Sequence, residues 1–273
     1  MPDIIWQEYV GTSSVWLAAI ESLVLIIAAL AVLASARLRG LSRFLFALAA
    51  LNFAWDLIVP WLAKTHFVEA LSANASWGAR LFIARTLTLS GVALMGLTLI
   101  GSGITRRDLF LCRGNLAAPA GPIPWLGLRK PIPWTLFGPL LLLVFSVALP
   151  LFLYFSIKPN FAASGRILHF LPWILLLAAF NAANEEFQFR SVLLAHLRHF
   201  LSPAEAVFLT AFLFGLGHFY GQPSGPIGVV MAGIAGWIWA RSMIETRGFV
   251  WAFFIHMVQD IVIFSFLAVS TAN

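Results

Sequence analysis

Hydrophobic residues run along this chain in long blocks separated by short polar or basic stretches, with no sustained alternation of apolar and polar positions. A helix needs about 20 mostly apolar residues to cross hydrocarbon. Eight blocks meet or approach that length, near residues 15–36, 43–63, 81–103, 136–157, 167–190, 203–220, 225–244 and 249–270. The pattern predicts an all-α, polytopic membrane bundle of about eight transmembrane helices.

Composition agrees. The 273 residues are 61% hydrophobic and 10% charged, with a mean hydropathy of +0.92, whereas soluble domains carry about 25% charged residues. Asp3 and Glu8 stand where a secretory leader would be basic, so no cleavable signal peptide is expected. The lone Cys112 excludes an intrachain disulfide framework and a cysteine-based metal cluster.

A net charge of +6 raises the question of a nucleic-acid partner, but the cations are scattered among short loops and none is expected. Their distribution fits the rule that cytoplasmic loops are lysine- and arginine-rich. Loops after the first, third, fifth and seventh spans hold eleven: Arg37, Arg39, Arg43, Arg106, Arg107, Arg113, Arg129, Lys130, Arg198, Arg241 and Arg247. The other side, with nearby span ends, holds five: Lys64, Arg80, Arg85, Lys158 and Arg166. This bias predicts cytoplasmic odd-numbered loops and both termini outside.

The longest connection, 104–135, contains five prolines and cannot be one helix. Trp125 and Trp134 flank Arg129 and Lys130, so it reads as a linker on the membrane surface. It divides the chain into 1–135, N-terminal membrane helices with this Pro-rich loop, and 136–273, which carries the motifs. In the seventh span, Gly228, Gly233 and Gly236 suit close helix packing. No strand precedes them and no P-loop lysine follows, so phosphate binding is not assigned. Glu21 and Asp56 also fall within spans and receive no chemistry.

Three places interrupt the second half with polar groups. The first is Asn184-Glu185-Glu186-Phe187-Gln188-Phe189-Arg190, after the uncharged run 171–180. A charge in lipid costs roughly 2.5–3.5 kcal/mol on insertion scales, so three together need a reason. Glu186 and Arg190 are four apart and can pair on one helix face. Glu185 is rotated by about 100° from Glu186 and is left free for chemistry. The second is His218, and the third is His256 with Asp260 one helical turn on. A glutamate with two histidines and an acid has the composition of a hydrolytic site. Ser191 lacks a nucleophile-elbow context, and Cys112 lies far along the chain from either core histidine.

Glu-Glu-x-x-x-Arg, Phe-x-x-x-His and His-x-x-x-Asp, in that order over about 75 residues, resemble the CPBP family, the CAAX protease and bacteriocin-processing (Abi or Rce1-like) intramembrane proteases. The resemblance covers roughly 165–268. It implies hydrolysis of a peptide bond in a membrane-bound or lipidated protein or peptide, at a site open to the cytoplasmic side of a bacterial plasma membrane. Carried onto this sequence, Glu185 activates water, Glu186 pairs with Arg190, Phe214 precedes His218, and His218 and His256 stabilise the oxyanion or bind a metal that Asp260 completes. The cofactor is then Zn²⁺, or there is none and the mechanism is a glutamate's alone. CAAX-processing members typically carry asparagine where this chain has Asp260, which points away from prenylated substrates.

Two other functions suit the same span pattern. A scaffold or bacteriocin-immunity-type protein could keep the fold without catalysis, and a transporter could use the carboxylates as a proton relay. The costly polar set favours the enzyme over the first, and the lack of inverted-repeat signs disfavours the second. One expectation conflicts with the rest: His218 lies ~22 Å along its span from the cytoplasmic start, but His256 only ~10 Å along its own.

Overall fold

The computed structural model describes residues 2–157, 159 and 164–270. Lys158, counted above among the external cations, lies outside the described residues. The protein is a helical membrane bundle. Its helices are α1 (Pro2–Val10), α2 (Val15–Leu33), α3 (Leu41–Ala63), α4 (His66–Ala73) and α5 (Trp77–Leu97), then α6 (Trp134–Ile157), α7 (Gly165–Leu197), α8 (Pro203–Gly217), α9 (Gly225–Thr246) and α10 (Val250–Ser270).

Among the described residues seven helices are long and apolar enough to cross a bilayer, namely α2, α3, α5, α6, α7, α9 and α10. The expected span at 203–220 is shorter than read. α8 has 15 residues, or about 22 Å, against about 30 Å of hydrocarbon. A capping box starts it, with the Ser202 hydroxyl and Glu205 carboxylate each satisfying the other's backbone N–H. It stops at His218, ahead of the turn through Gly221 and Pro223.

α7 is longer than read. It runs 33 residues without a break, roughly 50 Å, and its stretch Glu186–Leu194 is wound as a π-helix. Such winding is rare and concentrates at functional sites. The extension past Arg190 carries the start of α8 outward by about 10 Å. That nearly cancels the depth mismatch expected between His218 and His256.

The connection 104–135 is a folded cap, not a surface linker. Pro119–Ala120 and Ile132–Pro133 pair as a short antiparallel ribbon. The carboxylate of Glu245, near the end of α9, accepts from the Trp134 indole N–H at 2.8 Å and the Gly121 N–H at 3.1 Å. Arg241 donates to the Gly121 carbonyl at 3.0 Å. Phe110, Ala118, Ala120, Ile123 and Trp134 are buried in the principal core with Phe214, Trp239 and Met243. That core also takes Phe44, Leu51 and Met95 from the N-terminal helices. A second cluster, Ile174, Leu177, Ala178, Phe264 and Ala268, joins α7 to α10 beside the site.

Candidate functional site

α7, α8, α9 and α10 bring the three sequence motifs together. The polar side chains come from the last α-helical turns of α7 and its π-wound stretch, the C-terminal end of α8 and the second and third turns of α10. Glu185, Glu186, Arg190, His256 and Asp260 are all buried.

The adjacent glutamates have different partners. Glu186 Oε1 lies 3.2 Å from Arg190 Nη1 and 2.9 Å from His256 Nδ1. Glu185 Oε2 lies 3.6 Å from His256 Nε2 and has no hydrogen-bond partner. Its other oxygen faces the Arg85 guanidinium of α5 at 4.0 Å. Arg190 is 0% exposed. Its guanidinium carbon sits 4.0 Å from the Phe214 ring centre and 4.9 Å from that of Trp239. None of its nitrogens is aligned for a hydrogen bond, so two aromatic faces and one carboxylate offset the burial of its charge.

The imidazole of His256 is fixed on every side. Its ring stacks on Trp239 at 3.9 Å with an 11° tilt, and Phe214 meets it edge-on at 6.1 Å. Since a carboxylate oxygen only accepts, Nδ1–H donates to Glu186, and the second ring nitrogen, Nε2, points toward two further carboxylates. That nitrogen has Glu185 Oε2 and Asp260 Oδ2 each at 3.6 Å. Asp260 Oδ2 accepts from the Asn181 amide at 3.0 Å. The same logic applies to His218, whose Nδ1 lies 2.9 Å from the Phe214 carbonyl and must donate to it. Its Nε2 is then an acceptor when the ring is neutral.

His218, His256 and Asp260 line one cavity of about 170 Å³ with Phe214, Trp239 and Gln259. Its opposite wall is apolar and comes from α6 and α9, including Phe145, Leu149 and Met231. Glu185 lies behind His256 and is not part of the wall. His218 shares the cavity but forms no ion pair within 4 Å with the other site residues described. Among the described residues no three His, Cys, Asp or Glu side chains are arranged to hold a metal ion. The donor set as it stands does not form a zinc cage.

Several supporting residues were not read from sequence. Arg85 faces Glu185, and Asn181 orients Asp260. Asn184 donates to Thr88 at 2.6 Å and accepts from Gln188 at 2.6 Å, and Trp239 carries the His256 ring. Asn181 had a legible signal, lying four residues before Glu185 in an apolar helix. Arg85 was the one charge inside its span. Trp239 had none, since a tryptophan in an apolar helix is ordinary.

Residues 167–262 match a family model described as type II CAAX prenyl endopeptidase Rce1-like. The matched segment contains all three motifs, α8, α9, nearly all of α7 and the first part of α10 up to 262. No curated protein gives a match, and no solved structure does.

Proposed function

With residues 167–262 matching the Rce1-like family model, we propose that the chain is an intramembrane endopeptidase in which Glu185 activates the attacking water. The observation that carries the reading is the division of labour between the two glutamates. Each buried carboxylate keeps one oxygen without a hydrogen-bond partner, but only Glu186 has its other oxygen held, by His256 at 2.9 Å and Arg190 at 3.2 Å. Glu185, whose paired guanidinium is Arg85 at the longer distance of 4.0 Å, is the one available to accept a proton.

In this mechanism a water held between Glu185 and the cavity, beside His256 Nε2, loses its proton to Glu185 as it attacks the scissile carbonyl of a substrate in the cavity. Glu186 positions His256 and balances Arg190 without touching substrate. When protonated, His218 and His256 present Nε2–H donors to the oxyanion. The proton on Glu185 then passes to the leaving amine. These steps run on protein groups alone; a metal held by His218, His256 and Asp260 would instead polarise the scissile carbonyl and the attacking water. The apolar wall from α6 and α9 would take the hydrophobic part of a membrane-bound or lipidated substrate.

The test is cleavage of a library of lipidated and unlipidated membrane peptides by the purified protein, with Glu185→Gln alongside. Loss of cleavage by about 10²–10⁴-fold in a folded Glu185→Gln protein is expected. Undiminished cleavage by that variant would discard Glu185 as the base. Absence of cleavage by the native chain across the library would favour the scaffold reading.

A further inference from the structure

A second cavity, of about 620 Å³, lies away from the cavity just described. Its walls come from the α2–α3 turn, the segment 102–108 and the end of α7. These meet where three spanning helices begin or end, at Leu33, Leu41 and Leu197, and the ends of spanning helices lie near the polar layer of a bilayer.

The charged and titratable groups in the wall are Arg39, Arg43, Asp108, His196 and His199. Asp108 is already satisfied. It accepts from the Thr105 hydroxyl and N–H at 2.7 and 2.9 Å and lies 3.9 Å from Arg198. The Thr105 bonds, hydroxyl first, hold its carboxyl below the usual carboxylate range. Arg43 donates to the carbonyls of Ser102 at 2.6 Å and Gly101 at 3.5 Å, which orients its charge without neutralising it. Neither Arg39 nor Arg43 has a carboxylate within 4 Å among the described residues.

His196 supplies a separate observation. It is 2% exposed, and its buried Nε2 has no hydrogen-bond partner. A buried polar nitrogen without a partner is costly, and a small turn of the ring toward the cavity that His196 lines would let a bound group satisfy it. Leu33 and Phe200, also in the wall, are 39% and 42% exposed. The site therefore combines two uncompensated guanidinium groups, an unpartnered imidazole nitrogen and flanking apolar surface. A soluble anion would use the first two features and leave the third idle.

We propose that this cavity binds the phosphate of an anionic phospholipid headgroup, with Arg39 and Arg43 on the phosphate, His196 on a headgroup oxygen, and the acyl chains along Leu33 and Phe200. The site is independent of the hydrolytic one and stands whether or not the chain is a protease.

Native mass spectrometry of the purified chain tests it, with titration by dioleoylphosphatidylglycerol, dioleoylphosphatidylcholine and inorganic phosphate. Saturable one-to-one binding of the glycerol lipid, at least tenfold tighter than the choline lipid, is expected. At about 1 kcal/mol per cation near the membrane surface, Arg39→Gln/Arg43→Gln should weaken that binding about 30-fold and exposed Arg39→Gln alone about fivefold. Arg129→Gln/Lys130→Gln removes the same charge from the cap and should cost less than threefold. Equal loss from both double variants, or equal binding of the two lipids, would overturn the site. Phosphate binding alone as tightly as the glycerol lipid would assign the cavity to a soluble phosphoanion and overturn the lipid.

Discussion

Glu185 and Glu186 are chemically identical neighbours, and the one-residue difference in spacing to Arg190 becomes a difference in partners. Glu186 bridges Arg190 and His256, so Glu186→Gln leaves a buried guanidinium with no counter-charge. Breaking a buried pair typically costs about 3–5 kcal/mol. The expected outcome is a sharp fall in folded yield and thermal midpoint in detergent, whatever happens to cleavage. Activity lost without any change in thermal midpoint would move Glu186 from a positioning role to the chemistry. Metal dependence also belongs at this scale. With every step on protein groups, prolonged phenanthroline treatment should leave cleavage within about twofold of the untreated rate, a far smaller change than loss of a catalytic group brings. Stoichiometric metal in the active protein, with activity lost on chelation and restored by zinc, would replace the glutamate-alone mechanism.

Among elements, α9 shows how small residues serve different ends. Gly228, Gly233 and Gly236 were all read as packing positions, but their surroundings are unequal. A Cβ at Gly236 would lie 2.5 Å from Arg190 Nη2 and 3.1 Å from the Phe214 ring. That guanidinium is boxed between aromatic rings and cannot retreat. At Gly233 the nearest atom would be the Ala211 carbonyl at 3.7 Å, an ordinary contact. Gly236→Ala should therefore cost about 1–3 kcal/mol, and Gly233→Ala should fall within about 0.5 kcal/mol of native. Thermal unfolding of the two variants in detergent checks this. Equal effects would mean that α9 glycines serve only general helix approach. On α8, Gly215 faces the backbone of α9, where a Cβ would lie 2.5 Å from the Val229 carbonyl. The backbone approach that crosses between these helices rests on that glycine more than on Gly233.

At the scale of the whole molecule, the cap joins the two halves. Cys112 and Asn115 bond to the backbone of Phe249 and Thr246, respectively. The Trp251 indole donates to the Leu116 carbonyl at 3.0 Å. The cap therefore sits over the junction of α9 and α10, on the side of the membrane where the eleven loop cations gather. Orientation is testable there. Trp125 is 58% exposed, so Trp125→Cys in a Cys112→Ser background offers an accessible thiol at the cap's tip. With the cap cytoplasmic, a membrane-impermeant thiol reagent should label it only after permeabilisation. Ready labelling of intact cells would reverse the topology.

The sequence by itself determined the class of the molecule, because long uncharged blocks in a chain only 10% charged have no stable home but lipid. It also determined which polar residues were out of place, since a charge inside such a block is costly enough to stand out. The i,i+4 relation of Glu186 to Arg190 and of His256 to Asp260 follows from helix geometry and was legible for the same reason. Only the tertiary structure decided where the blocks end and what faces the site. The length of α7 depends on its burial against neighbours, and that of α8 on the cap at Ser202 and the turn after His218. Neither is a property of hydropathy. The 104–135 cap was misread as a linker because its anchors, Glu245, Arg241 and the Thr246 carbonyl, lie more than 100 residues away. Arg85, Asn181 and Trp239 joined the site through contacts between helices. Periodicity along one helix says which face is polar, but not which neighbour that face will meet.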